Sequence, residues 1–334
     1  MKAIAGFKRA LRPAVRKLRM RRDALLGGDC VVLLYHRVAD LPSDPQQLAV
    51  TPERFDAQLA WLKRHRRVLS PDEFDAHLES RRRFPSRSAL ITFDDGYADN
   101  HANARPIMER HGLQGIFYIS AGYIGSGREY WWDELERLLL LNNSLPQEMS
   151  VERPGVRVHW SLDRVPDAEA MRRHYKALLA EFRNLSSAQR DELLGELRVL
   201  LRSPEARATH LPMTADELKA FAASPAVTIG AHTLLHCSLA ARPEHEQHRE
   251  IVGSKQLLEQ WLGCPVDRFA YPFGTMHDYN ATSLRICEEA GFRHAAANRA
   301  GIVHKDSPRF AFPRVLIRDW SADELAAQLR PFDL

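Results

Sequence analysis

Residues 88–100 read SALITFDDGYADN. The apolar run Ala89-Leu90-Ile91 leads through Thr92-Phe93 into two adjacent carboxylates, Asp94 and Asp95, with Gly96 behind them. A short apolar run closed by a glycine reads as a buried strand. Ending such a strand in paired acids is costly, because like charges a few ångströms apart cannot both ionise cheaply without a cation. A metal ion removes the conflict by taking one carboxylate as ligand and leaving the other as base. Its charge also keeps the free carboxylate ionised and acidifies a bound water. The plainer reading is an Asx turn or helix cap, but that device normally lies between polar segments, not after a hydrophobic strand.

The rest of the chain extends the pattern. Strand-like runs at 30–35, 89–93, 115–119, 226–231, 266–271 and 312–317 alternate with helical patterns near 101–111, 244–262, 279–290 and 321–330. Helix starts are marked by Thr51-Pro52-Glu53 and by the capping boxes that open at Ser70 and Thr214. Alternation of this kind predicts an α/β fold with a parallel sheet, either open or closed into a barrel. The stretch from about 125 to 213 departs from it. This stretch is rich in Leu, Arg and Glu, opens near Tyr130-Trp131-Trp132, and has helical spacing near 131–141, 168–183 and 187–202. The expectation is one α/β body over 29–334 that carries a helical insertion.

Four polar clusters each follow a strand candidate: Tyr35-His36-Arg37, Asp94-Asp95-Gly96, the segment His232 to His236, and Tyr271-Pro272-Phe273-Gly274. In parallel α/β folds the carboxyl ends of the strands share one face, where active sites assemble. His232 and His236 are four apart, so a helical turn would point both imidazoles the same way. Two histidines and one carboxylate leave a zinc-like ion an open position. Alone, H-x-x-x-H is weak, since helical surfaces produce it often; the Asp-Asp strand end strengthens it. Leu234 and Leu235 fill the interior, so the metalloprotease H-E-x-x-H is absent.

Composition bounds the class. In 334 residues, 45% hydrophobic and 27% charged content is ordinary for a globular protein. No window approaches the ~18 apolar residues of a membrane span. Cys30, Cys237, Cys264 and Cys287 form no C-x-x-C pair and read as reduced thiols. The net charge of +4 is unevenly placed, with nine Lys or Arg and no acid within residues 1–22. There Ile4, Phe7, Leu11, Val15 and Leu18 recur at helical spacing, making residues 1–28 a basic amphipathic arm. Such an arm suits a membrane surface or anionic partner, or equally a solvated helix packed on the body. The apolar core of at least ~7 residues that a secretory signal needs is absent. The expected location is therefore cytoplasmic, with contact at the inner membrane face through residues 1–22. No nucleic-acid-binding motif accompanies the arm, so no specific nucleic-acid partner is expected.

Thr92-Phe93-Asp94-Asp95-Gly96 together with the segment His232 to His236 resembles the polysaccharide deacetylase family (NodB-homology, carbohydrate esterase family 4), over roughly Val31 to Leu316. Tyr271-Pro272-Phe273-Gly274 agrees with it. The resemblance implies a distorted (β/α) barrel that removes an N-acetyl group from an amino sugar. It implies Asp94 as general base, and Asp95, His232 and His236 as ligands of a divalent metal, with Zn2+ expected and Co2+ or Ni2+ also compatible. No L-x-x-H-D-like segment follows Tyr271 to supply a general acid. Leu34-Tyr35-His36-Arg37-Val38 instead resembles the Y-H-x-V segment of biofilm poly-N-acetylglucosamine deacetylases, which implies His36 as the acid. A backbone N–H near Gly96-Tyr97 is expected to meet the oxyanion. Substrate contacts are expected from Tyr97, Tyr271, Pro272, Phe273, Gly274 and Arg314. Tyr130, Trp131 and Trp132 are expected either to form a sugar-stacking wall at the mouth of the site or to anchor the insertion to the barrel. Ala270 stands where the family's arginine partner of the catalytic aspartate is expected, and Arg314 is the candidate substitute. The same site chemistry would serve a sugar O-deacetylase or deformylase, and a silent carbohydrate-binding barrel is the rival from another class. A lipid-linked or nucleotide-linked N-acetylated sugar is the substrate that best fits a cytoplasmic arm-bearing protein.

Overall fold

Strand Cys30–Tyr35 (β1), sequence CVVLLY, is buried at every position, as expected of a strand covered on both faces. The computed structural model of the protein describes residues 28–142, 148–153, 156–161, 168–201 and 205–332. The basic arm expected over residues 1–22 lies outside the described residues. The remaining main strands are Ser88–Asp95 (β2), Gly115–Ile119 (β3), Val227–Ala231 (β4), Arg268–Ala270 (β5), His294–Ala296 (β6) and Val315–Leu316 (β7). They pair in the order β6-β5-β4-β3-β2-β1-β7, every pair parallel, with Arg67–Val68 beside the start of β2.

The chain's last strand bends this sheet round. Val315 pairs with Leu33 on one edge, while Phe312, three residues earlier, bridges Ala296 on the other. The product is the distorted (β/α) barrel that the family resemblance implies. Pairing at β7 is shorter than the 312–317 run suggests, because Pro313 has no N–H to give. Strand β6 was not visible in the sequence, since His-Ala-Ala lacks the β-branched side chains that mark strands.

Alternation sorts the side chains. Val31, Leu33, Tyr35, Ile91, Phe93 and Phe117 face the surrounding helices, where Phe93 stacks on Phe117 with centroids 4.6 Å apart. Val32, Leu90, Ile116, Tyr118 and Phe312 fill the inside. Gly230 on β4 leaves room for Tyr118, because a Cβ there would lie 2.5 Å from its ring. Helices Pro52–His65 (α1) and Pro71–Glu79 (α2) begin at Thr51 and at the Ser70–Glu73 capping box, as the sequence predicts. Helix Arg105–His111 (α3) follows β2.

Between β3 and β4 lie helices Trp131–Leu139 (α4), Ala168–Phe182 (α5) and Ser187–Leu200 (α6). They share a second core of Trp131, Leu135, Tyr175, Phe182, Leu193 and Leu197. An antiparallel hairpin, Glu148–Arg153 with Val156–Ser161, sits within the same stretch, which corrects the all-helical expectation there. Helices Ala215–Ala222 (α7), Glu244–Leu262 (α8), Ala281–Glu289 (α9) and Ala322–Leu329 (α10) complete the outer layer.

A charged knot ties α2 to the sheet. Asp75 accepts from Arg268 Nε at 2.9 Å and lies 2.8 Å from His294 Nε2, all buried. Burial pushes the Asp75 carboxyl up, but His294, Arg268 and Arg293 outweigh it and hold the carboxyl below its usual range. Removing one partner of a buried pair costs about 3–5 kcal/mol. Asp75→Ala should fall at the low end in urea unfolding, because Asp72 and Asp267 also reach Arg268. A depressed carboxyl contributes stability above the unfolded value and loses it as pH falls through the folded one. The deficit of the variant should therefore shrink in acid; a loss below about 1 kcal/mol at neutral pH would show the knot to be incidental.

Candidate active site

Period-two alternation carries Leu90, Thr92 and Asp94 on the inner face of β2. Asp95 would then point outward, but its φ of 80° turns it back over the barrel mouth. Thr233, His236 and Phe273 also have positive φ, at 64°, 48° and 58°. Such conformations cost about 1–3 kcal/mol each for residues with a Cβ. Their concentration around one point marks strain held by the surrounding structure at a functional site.

The histidine pair is not on a helix, contrary to the spacing argument. Residues 232–236 form a loop after β4, and the turns at Thr233 and His236 aim both rings. Thr233 Oγ1 accepts from the His236 N–H at 3.0 Å. Glu250, from α8, accepts from the Leu234 and Leu235 N–H groups at 3.0 and 2.9 Å. The Ala270 carbonyl lies 2.7 Å from His232 Nδ1, which fixes the proton there and leaves Nε2 as a lone pair facing the site.

Three ligand atoms converge as a result. Asp95 Oδ1 lies 3.7 Å from His232 Nε2 and 3.4 Å from His236 Nε2. That oxygen is buried with no hydrogen-bond partner. Burial, and then the neighbouring Asp94, push the Asp95 carboxyl well up. Burial pushes His232 down, and pushes His236 well down with help from His232. Neutral imidazoles with an uncompensated buried carboxylate fit a divalent cation, because ligand nitrogens must be deprotonated and the ion supplies the missing charge.

Asp94 has the opposite environment. Arg314 Nη1 and Nη2 donate to its two oxygens, each at 2.7 Å. Burial alone would raise this carboxyl, but Arg314 and then His232 outweigh it and hold it below the usual range. The two aspartates are thus driven apart, one held ionised and one in need of a cation. Arg314 stands on the segment that closes the barrel and is fully buried, with its Nε donating to the Ala297 carbonyl at 3.2 Å. It is a partner of Asp94 and not an open sugar contact. His36 follows β1, with Nδ1 buried and unpartnered. Burial pulls its imidazole down to about 4, against the opposing pull of Asp94.

Several expected substrate contacts are elsewhere engaged. Tyr97 is buried, donates from its hydroxyl to Asp133 at 2.7 Å, and lies under Arg37. Tyr271 is buried, stacks on Tyr279 with centroids 4.3 Å apart, and donates to the Phe310 carbonyl. Trp131 is 3% exposed and packs on Phe182 within the inserted core, so it anchors the insertion and offers no open stacking wall. Pro272 and Gly274 are buried turn residues; Gly274 has φ 62°, and a Cβ there would meet Asn298 N at 2.4 Å. Only Phe273 of that motif reaches the site, packed edge-to-face on His236 with ring centroids 4.7 Å apart and Arg183 over its face. Of the same aromatic run, Trp132 is also buried, with its ring centroid 4.5 Å from that of His236 and its Nε1 donating to the Tyr97 hydroxyl. Tyr130 donates to the Asp95 carbonyl at 2.7 Å. Both brace the candidate ligands from behind.

A family model described as polysaccharide deacetylase matches residues 81–144 and 200–295. Those two segments carry Asp94, Asp95, His232, His236 and Phe273. The match supports the polysaccharide deacetylase family. Residues 145–199, between the matched segments, hold α5 and most of α6 with the hairpin. The Bacillus subtilis protein YxkH is 20% identical over 287 residues, covering 86% of this chain and 70% of its own. A Staphylococcus aureus poly-β-1,6-N-acetyl-D-glucosamine N-deacetylase is 32% identical over 78 residues, 23% of this chain and 27% of that protein. In fold, IcaB from Ammonifex degensii superposes with a TM-score of 0.58 at 22% identity, covering 90% of this chain and 97% of its own. Among the described residues no helix is long and apolar enough to cross a membrane.

Proposed function

We propose that this protein is a metal-dependent hydrolase that removes the N-acetyl group from an amino sugar in a glycan or glycan precursor. The observation that carries this is the buried, unpartnered Asp95 oxygen facing two imidazole nitrogens, beside an aspartate held ionised by Arg314. Asp95, His232 and His236 would hold the ion, Zn2+ by the nitrogen and oxygen donor set, with Co2+ or Ni2+ accommodated. When bound, the ion polarises the acetyl carbonyl and acidifies a water.

Asp94 accepts a proton from the attacking water. The Gly96 N–H already donates to the Asp94 carbonyl at 3.2 Å, so the Tyr97 N–H is assigned to the developing oxyanion. His36 donates to the departing nitrogen. Burial keeps its imidazole neutral at rest, and the negative charge that develops beside it is what draws a proton onto it. A sugar amide fits this pairing, since an amine leaves only when protonated. The S. aureus relative's named substrate, poly-β-1,6-N-acetyl-D-glucosamine, supports an N-acetylhexosamine target.

The test is mass spectrometry of N-acetylglucosamine oligosaccharides incubated with metal-loaded protein. Expected is the loss of whole acetyl groups, abolished by a chelator and restored by Zn2+. Activity that survives chelation, or loss of formyl or ester-linked acetyl groups only, would overturn the reading. His36→Gln should lower kcat by about 10²–10⁴-fold with metal content unchanged; near-normal kcat would remove His36 from the acid role.

A further inference from the structure

A second convergence of ligand atoms lies outside the active site. Helix α4 places Asp133 and Glu136 three positions apart, hence on one face. The short turn Ala208–His210 brings His210 against them. One ligand atom from each of the three lies within 4.8 Å of the other two. All are more than nine-tenths buried, with exposures of 7%, 2% and 3%.

The donor atoms are oriented for a cation. Thr209 Oγ1 lies 3.0 Å from His210 Nδ1, while His210 Nε2 faces Glu136 Oε2 at 3.9 Å. Glu136 Oε1 is buried with no hydrogen-bond partner. A small cavity lies against the group, lined by Asp133, Glu136 and His210 with Asp44, Arg37 and Tyr175. Charge points the same way. Asp99, Glu129, Glu134 and Glu136 are paired with Arg37, Arg137, Arg198 and Arg207. Asp133 exceeds that balance: its Oδ2 takes a hydroxyl from Tyr97, and Arg207 reaches only its carbonyl.

We propose that Asp133, Glu136 and His210 form a second divalent-cation site, structural in role, that joins α4 to the turn at 208–210. One imidazole and two carboxylates suit Zn2+ or Mn2+ better than Ca2+, which takes oxygen ligands alone. Arg37 and Arg207 remain close, so this site binds more weakly than the first and fills after it. Its occupancy bears on the active site through contacts already described. Asp133 holds the Tyr97 hydroxyl, Tyr97 holds Trp132, and Trp132 lies on His236.

The test is a Zn2+ titration of the chelator-stripped full chain, with bound metal counted by plasma mass spectrometry after desalting. Two equivalents are expected, filling in sequence. The double variant His232→Ala/His236→Ala removes the candidate active-site ligands and should keep one equivalent, whether or not the deacetylase reading holds. His210→Gln and Glu136→Gln should each lose the weaker equivalent and keep the tighter. One equivalent in the unaltered protein overturns the proposal, as does none in the double variant. Two equivalents persisting in both His210→Gln and Glu136→Gln overturn it as well. The first two measurements leave the cluster intact, so they decide the matter even if the variants fold poorly.

Discussion

Asp94→Asn should abolish turnover while the protein keeps its first equivalent of metal. The amide keeps the shape and one acceptor oxygen but has no basicity, so the attacking water retains its proton. General-base catalysis by a positioned carboxylate contributes about 10²–10⁴-fold, and at least that much kcat should disappear. Metal content should hold, because the proposed ligand atoms belong to Asp95, His232 and His236. Asp95→Asn gives the mirror result, with metal lost first and activity with it. The neighbours therefore separate by readout: one variant has metal and no rate, the other neither. Wild-type kcat in Asp94→Asn would assign the base elsewhere; lost metal would show both aspartates to be ligands.

The electrostatic conflict between the two aspartates was legible in the sequence, while the role proposed for each came from the family resemblance. Strand alternation and two adjacent charges are local features, so SALITFDDG announced both the strand and its electrostatic problem. The fold class followed from the same alternation repeated along the chain. What failed was non-local. The spacing of His232 and His236 suggested a helix, whereas Thr233 and Glu250 hold a strained loop, and Glu250 arrives from a helix whose inward face only the packing defines. Tyr97, Tyr271 and Trp131 are types that often meet sugars, yet residue type does not say which face a ring presents. Each is buried and hydrogen-bonded or stacked within the protein. The strand at 294–296 went unseen because His-Ala-Ala carries no strand pattern. The hairpin did have a signal, the Val156, Val158, Trp160 alternation after Pro154-Gly155, which the helical spacing on either side obscured.

Arg314→Met should produce the largest combined loss of stability and rate. In the native barrel Arg314 is fully buried, and both its Nη atoms meet Asp94. Removing it leaves a buried carboxylate without its principal partner, a change that costs about 3–5 kcal/mol. The sign with pH follows from Asp94 being held below its usual range. In the native protein Asp94 contributes stability above the unfolded carboxylate value of about 3.9 and loses it as pH falls through the folded value. Without Arg314, burial dominates and the folded value rises above the unfolded one, so the variant loses stability as pH rises through that region. The gap between the two proteins in urea unfolding should therefore widen from about pH 4 toward neutrality. The acid limb of the pH–rate profile should move to higher pH in the same variant, because the base protonates more readily. Arg314→Lys should restore part of the stability but not the two-pronged geometry. Adding Asp94→Asn to Arg314→Met should recover stability, since no buried charge remains, and recover no activity. An unmoved acid limb would show that Arg314 braces the barrel closure without setting the protonation of Asp94.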